Sequence, residues 1–215
     1  MPATTRLPAN YRLAATADLS KSRKALAAAI IIGIVLLVAV GWLVLQFTGF
    51  LRPSALGATP FHDIATTTPD GHTYLTLPFP LILGGVVAFF LATLIHELVH
   101  GLCYWRFSGQ RPKFGIKGPY VYVAAPPNVY FPRNQYLTVG LAPLLLLTVL
   151  GWLLTTVAPP FALPTLIFFV VFNAAGSAGD LLMSVYLLSY SSETFMQDRG
   201  TGVSVYRPEG THTPA

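Results

Sequence analysis

The stretch PLILGGVVAFFLATLIHELVHGLCY, residues 80–104, carries no charge outside one cluster, His96-Glu97-Leu98-Val99-His100. About 20 apolar residues in a helix cross the roughly 30 Å hydrocarbon core of a bilayer, so the stretch reads as a membrane span. Ionisable side chains inside such a segment are expensive and call for a functional reason. The cluster has the form HExxH. On a helix, residues four apart share a face, so His96 and His100 can offer two imidazole nitrogens to one Zn²⁺ while Glu97 stands beside them as a general base.

The rest of the chain fits a membrane setting. Of its 215 residues, 53% are hydrophobic and only 10% charged, too apolar a composition for an ordinary soluble domain. Three further segments reach spanning length, at about 25–49, 136–157 and 163–190. The expected fold is an all-α polytopic membrane protein of four transmembrane helices, with a short membrane-adjacent β-hairpin between the second and third. Residues 1–24 form a leader, 25–190 the membrane domain and 191–215 a tail. The apolar run that begins at Ala25 is too long for the roughly 7 to 15 residues of a cleavable signal's core, so it is expected to stay as an anchor. No internal repeat is visible, which argues against an inverted-repeat transporter.

Charge sets the expected direction. The net charge of +5 is spread over flanks and forms no aromatic-interleaved basic patch, so no nucleic-acid partner is expected. Arg6, Arg12, Lys21, Arg23 and Lys24 precede the first span, and Arg106, Arg111, Lys113, Lys117 and Arg133 fill the link between the second and third. The positive-inside rule makes both regions cytoplasmic, and four crossings bring both termini there. Leader and tail, rich in Thr, Ser, Gly and Pro, are expected to be mobile and without chemistry. The single Cys103 excludes an intrachain disulfide and reads as a packed thiol.

In the cytoplasmic link, residues 114–116 and 120–124 look extended, with Pro126-Pro127-Asn128 as a turn before 129–131. An unpaired edge there could hold a peptide by strand addition; the simpler reading is a loop with aromatic interface anchors.

A hydrolytic zinc site wants three protein ligands and an open position. The spans offer Asp180 as the third. Counted from entries near residues 81 and 165, His96 and Asp180 both lie about 15 residues in, or roughly 22 Å along a helix, on spans running the same way. The run Ala174-Ala175-Gly176-Ser177-Ala178-Gly179 lets helices approach closely. Glu193 and Asp198 compete as third ligands but lie beyond the span, and Cys103 falls seven residues after His96. An acid paired with Ser or backbone, and a hydrogen-bonding histidine cluster without metal, are the plain structural readings.

Asn173, seven residues before Asp180 and about 10 Å farther along the helix, is too distant to ligate the same ion. It is a candidate substrate-backbone clamp or an interhelical amide hydrogen bond. His62, Asp63, Asp70 and His72 share an outer loop with no preset ligand spacing, and Asp70-Gly71 reads as a turn. Pro143 within the third span reads as a kink that could also open a passage to the site.

Two neutral histidines and one carboxylate leave a bound Zn²⁺ net positive, able to bring a water's pKa toward about 7 and to polarise an amide carbonyl. Glu97 would accept that water's proton and pass it to the departing amine.

With these residues assembled, the chain resembles the site-2 protease class of intramembrane metalloproteases, and is most similar to a zincin peptidase family of small bacterial membrane proteins. The resemblance covers about residues 80–190. It rests on His96-Glu97-Leu98-Val99-His100-Gly101, on Leu141-Ala142-Pro143 and on the segment from Asn173 to Asp180. It implies that His96, His100 and Asp180 bind one zinc ion, that Glu97 is catalytic, that membrane proteins or peptides are the substrates and that a bacterial cell membrane is the location. In the site-2 class, prolines usually precede an Asp-Gly pair, whereas this chain reads Gly176-Ser177-Ala178-Gly179-Asp180-Leu181, which favours the zincin family. The rival function is a binding or scaffold protein that keeps the metal site. A proton or metal carrier would want more polar groups in the outer halves of the spans than Thr and Asn173 supply. Four spans are also compatible with a homo-oligomer.

Overall fold

The computed structural model describes residues 1–117, 120–200 and 202–210. It is mostly helical. Helix α1 (Arg23–Leu51) starts at Ser22, whose Oγ accepts the Ala25 N–H at 3.2 Å in a side-chain cap, and stops just before Pro53. The short α2 (Pro53–Gly57) follows. Helix α3 (Phe79–Ser108) ends at Gly109, whose φ of 68° and N–H bond to Trp105 O close the last turn in the left-handed manner open to glycine. Helix α4 (Arg133–Thr155) carries Pro143 in its interior, and the fourth apolar segment is broken at Ser177 into α5 (Leu163–Gly176) and α6 (Ala178–Leu188). Four helical segments, Arg23–Leu51, Phe79–Ser108, Arg133–Thr155 and Pro160–Leu188, are long and apolar enough to cross a membrane.

Contacts divide the chain into two compact units, and all four segments contribute to both. The first unit comprises Met1–Ile32, Leu94–Leu145 and Ser177–Ala215; the second comprises Gly33–Thr93 and Leu146–Gly176.

In the second unit, Val44, Ile167 and Val171 form a buried cluster with Trp152 against it, and Phe47 stacks on Trp152 at 5.7 Å. The Arg52 guanidinium donates to Thr155 O and Ala158 O at 2.9 and 2.6 Å, answering carbonyls that the end of α4 leaves open. A small hairpin of β2 (Ala65–Thr67) and β3 (Thr73–Leu75) turns at Gly71, with φ of 84°, as Asp70-Gly71 suggested.

In the first unit, β4 (Lys113–Lys117) pairs antiparallel with β5 (Tyr120–Ala124), so the link between the second and third apolar helices contains a hairpin. Gly101 helps to seat it: a Cβ there would lie 3.3 to 3.4 Å from Phe114, Pro112 and Val123 side chains. Beside the hairpin lies a four-stranded antiparallel sheet. Its order is β1 (Tyr11–Ala17), β8 (Val203–Pro208), β7 (Phe195–Asp198), β6 (Phe131–Pro132).

That sheet corrects the expectation of mobile flanks. The leader and tail are not structureless flanks, because they pair with each other and bury Met196, Val203 and Val205 against Leu187 and Tyr190. The extended residues near 131, for which the sequence named no partner, pair with β7. The fold is therefore helical with an added sheet, not all-α. The partners β1 and β8 lie at opposite ends of the sequence, so no local pattern announces their pairing.

Candidate metal centre

His96 and His100 occupy consecutive turns of one face of α3, and both are 8% exposed. Asp180 comes from the first turn of α6. The break at Ser177 creates that helix start, and the uncommitted N–H groups of a first turn favour a carboxylate placed there.

The three ligand atoms converge. His96 Nε2 lies 3.0 Å from Asp180 Oδ2, His100 Nε2 lies 3.1 Å from His96 Nε2, and His100 Nε2 lies 3.4 Å from the same Asp180 oxygen. A triangle with these edges leaves room, on either side of its plane, for an atom about 2.0–2.1 Å from all three corners, the bond length zinc takes to imidazole and carboxylate. Two Nε2 atoms facing each other at this distance are a poor hydrogen-bonded pair when both imidazoles also look toward an acid. As a ligand set they need no such compromise. The donor set fits zinc.

One histidine is held from behind. His100 Nδ1 lies 2.9 Å from Val139 O and donates its hydrogen to that carbonyl, which leaves Nε2 as the ligating atom. In an unbroken helix, Val139 O would accept the N–H of residue 143. That residue is Pro143, which has none. The proline in α4 thereby keeps free the acceptor that orients a ligand on α3.

Glu97 is half-buried next to the histidines, and its Oε2 accepts the Val123 N–H of β5 at 2.9 Å. Its carboxylate shares a cavity of about 220 Å³ with His100 and Asp180; Tyr104, Tyr136 and Asp198 also line it. Asp198, at the end of β7, is 9% exposed. Its Oδ2 accepts the Ala125 N–H at 2.8 Å, and its Oδ1 accepts the Tyr136 hydroxyl at 3.2 Å and the Gly200 N–H at 3.4 Å. Burial pushes the Asp198 carboxyl above the usual range, and these donors draw it partly back.

Among the described residues, His96, His100 and Asp180 are the group whose donor atoms gather as metal ligands do. Asp198 lines the same cavity but spends its oxygens on hydrogen bonds. Cys103 is outside the ligand group, and Glu193 is exposed after α6. Asn173 belongs to the second unit, is 1% exposed and donates from Nδ2 to Thr148 Oγ1 at 3.4 Å. His72 and Asp70 form an exposed pair at 3.7 Å. Sequence reasoning missed two features: the acceptor role of Val139 O, for which the spacing 139–143 was the available signal, and the organising role of Asp198.

A family model described as "Putative zincin peptidase" matches residues 89–195, a range that includes all four polar residues of the centre. It supports kinship with a zincin-like peptidase family. No curated protein and no solved structure matches the chain.

Proposed function

We propose that this chain is a zinc-dependent membrane-embedded metallopeptidase that hydrolyses peptide bonds of membrane or membrane-adjacent proteins. His96, His100 and Asp180 would hold one ion, and Glu97 is the general base. The observation that carries the reading is the closeness of three ligand atoms, 3.0 to 3.4 Å apart, with the Glu97 carboxylate lining the same cavity. Zinc bound there supplies Lewis acidity, which makes water a usable nucleophile near neutral pH and polarises the scissile carbonyl.

The remaining work falls to the chain. The Val123 N–H holds Glu97 Oε2, which leaves Oε1 to take a proton from the attacking water and deliver it to the leaving nitrogen. Val139 O fixes the tautomer of His100. Val123 of β5 and Ala125 just past it give their N–H groups to the carboxylates of Glu97 and Asp198, so this side of the strand faces the metal cavity with both acids held in place. The excess of Lys and Arg before α1 and between α3 and α4 supports a cytoplasmic position for both termini.

The test is cleavage of a denatured peptide library by zinc-loaded protein in nanodiscs, compared with Glu97→Gln. We expect zinc-dependent cleavage by the unaltered chain and a loss of at least about a hundredfold in the variant, as removal of a general base costs. Equal cleavage by both overturns the assignment and leaves a metal-bearing scaffold as the better account.

A further inference from the structure

Beside the metal cavity runs a second one of about 350 Å³. The two share Tyr122, Asp198 and Gly200. The Tyr122 ring lies across Gly115, where a Cβ would come within 2.5 to 2.8 Å of it, so the ring is held on the boundary between the two spaces. Past this ring the wall of the second cavity is Ala124, the last residue of β5, and Ala125 after it, while Val123, one residue back, lines the metal cavity.

Two cations line this groove, and they come from different elements. Lys113 opens β4, directly across the hairpin from Ala124. Arg199 sits in the turn between β7 and β8 and donates from Nε to Ser204 Oγ at 3.1 Å. Both are exposed, and among the described residues neither is in an ion pair with an acid. The acid nearest to hand, Asp198, has its oxygens committed to Ala125, Tyr136 and Gly200. The groove therefore presents positive charge with hydrogen-bonding capacity to spare, next to the metal cavity and sharing three wall residues with it.

We propose that this groove is a subsite for a carboxylate of the peptide substrate, held between Lys113 and Arg199 while the neighbouring backbone lies along the end of β5. The inference rests on the peptidase reading of the metal centre and adds a substrate class to it: peptides with an acidic group to one side of the scissile bond. A guanidinium and an ammonium lining one groove from two elements suit a carboxylate better than any neutral side chain. The wall shared with the metal cavity favours a peptide over the headgroup of an anionic lipid.

The experiment uses zinc-loaded Glu97→Gln protein in phosphatidylcholine nanodiscs and three fluorescein-labelled peptides of one sequence. One carries Glu and an amidated C-terminus, one Gln and an amidated C-terminus, and one Gln with a free C-terminal carboxylate. Either carboxylate peptide should bind about three- to tenfold more tightly than the neutral one, the range for two exposed charge contacts, and whichever does so identifies the source of the acid. Charge reversal by Lys113→Glu with Arg199→Glu should erase or invert the preference while leaving zinc content unchanged. Equal affinity for all three peptides overturns the subsite. So does a result in which charge reversal weakens binding to phosphatidylglycerol vesicles but leaves peptide preference untouched. Cleavage of the denatured library by the unaltered chain is scored separately: zinc-dependent cleavage without acidic bias sinks the subsite alone, and acid-selective binding without cleavage sinks the peptidase reading alone.

Discussion

Pro143 and His100 are joined through one backbone oxygen: the proline withholds the N–H that would bond Val139 O, and the Nδ1–H of His100 takes that carbonyl at 2.9 Å. A defect in one helix thus becomes the orienting contact of a ligand on another. Partners of this kind set both the tautomer and the direction of a metal-binding imidazole.

Pro143→Ala restores a helical N–H four residues after Val139. The variant should keep its fold, since alanine is the better helix former. Its affinity for zinc, measured by competition with a chromogenic chelator, should fall about 10- to 100-fold, the usual cost of losing such a contact. An unchanged affinity would show that His100 is oriented by other means.

Removal of the metal gives a second prediction. A ligand bound to the folded state alone stabilises it by about 2.7 kcal/mol when present at a hundredfold excess over its dissociation constant. Chelation should therefore lower the unfolding midpoint of the unaltered protein in detergent, and added zinc should restore it. His100→Ala and Asp180→Ala, each lacking one of the three converging donors, should show no such response. A zinc-dependent shift that persists in both variants would place the ion elsewhere.

What the sequence made legible follows from the range of the interactions involved. His96, Glu97 and His100 fall within two turns of one helix, so their spacing is a local property. The pairing with Asp180 was reachable because depth in a membrane supplies a coordinate that a soluble sequence lacks, and the 3.0 Å contact agrees with that count. The hairpin of β4 and β5 is likewise local, closed within a dozen residues. The strands β1 and β8 are not, because Tyr11 meets Pro208 across nearly the whole chain. Asp198 was judged by its distance from the span in sequence, but β7 returns it to the cavity wall.

Asp198 gives a pH prediction. Burial raises its folded pKa above the ordinary value near about 4, so the folded state holds the proton over a window where the unfolded chain releases it. The stabilisation from this residue is therefore complete below that window and is lost as pH rises through the folded value. Asp198→Ala should cost about 1–3 kcal/mol by leaving the donors of Ala125, Tyr136 and Gly200 unanswered. The gap between the unaltered and variant unfolding midpoints should be widest at acid pH and narrow toward neutrality. A gap that widens with rising pH would contradict the assignment of burial as the dominant influence.

The last prediction concerns the closing strand. A Cβ on Gly202 would stand 2.4 Å from Ala17 O and 3.1 Å from Asp18 Cα, both backbone atoms that cannot swing aside as a side chain tip could. Gly202→Ala must therefore push the end of β1 off β8, where Ala17 pairs with Val203. Overpacking of this kind costs about 1–3 kcal/mol. Because β1 is an edge strand, the change should be local, exposing the first twenty or so residues to limited proteolysis while zinc content stays the same. Gly202 lines the metal cavity, so displacement of β1 should also alter access of a dye-labelled peptide to the site. Protease resistance equal to that of the unaltered chain would mean that the strand adjusts around the added methyl group and that its seat on β8 is looser than the contacts require.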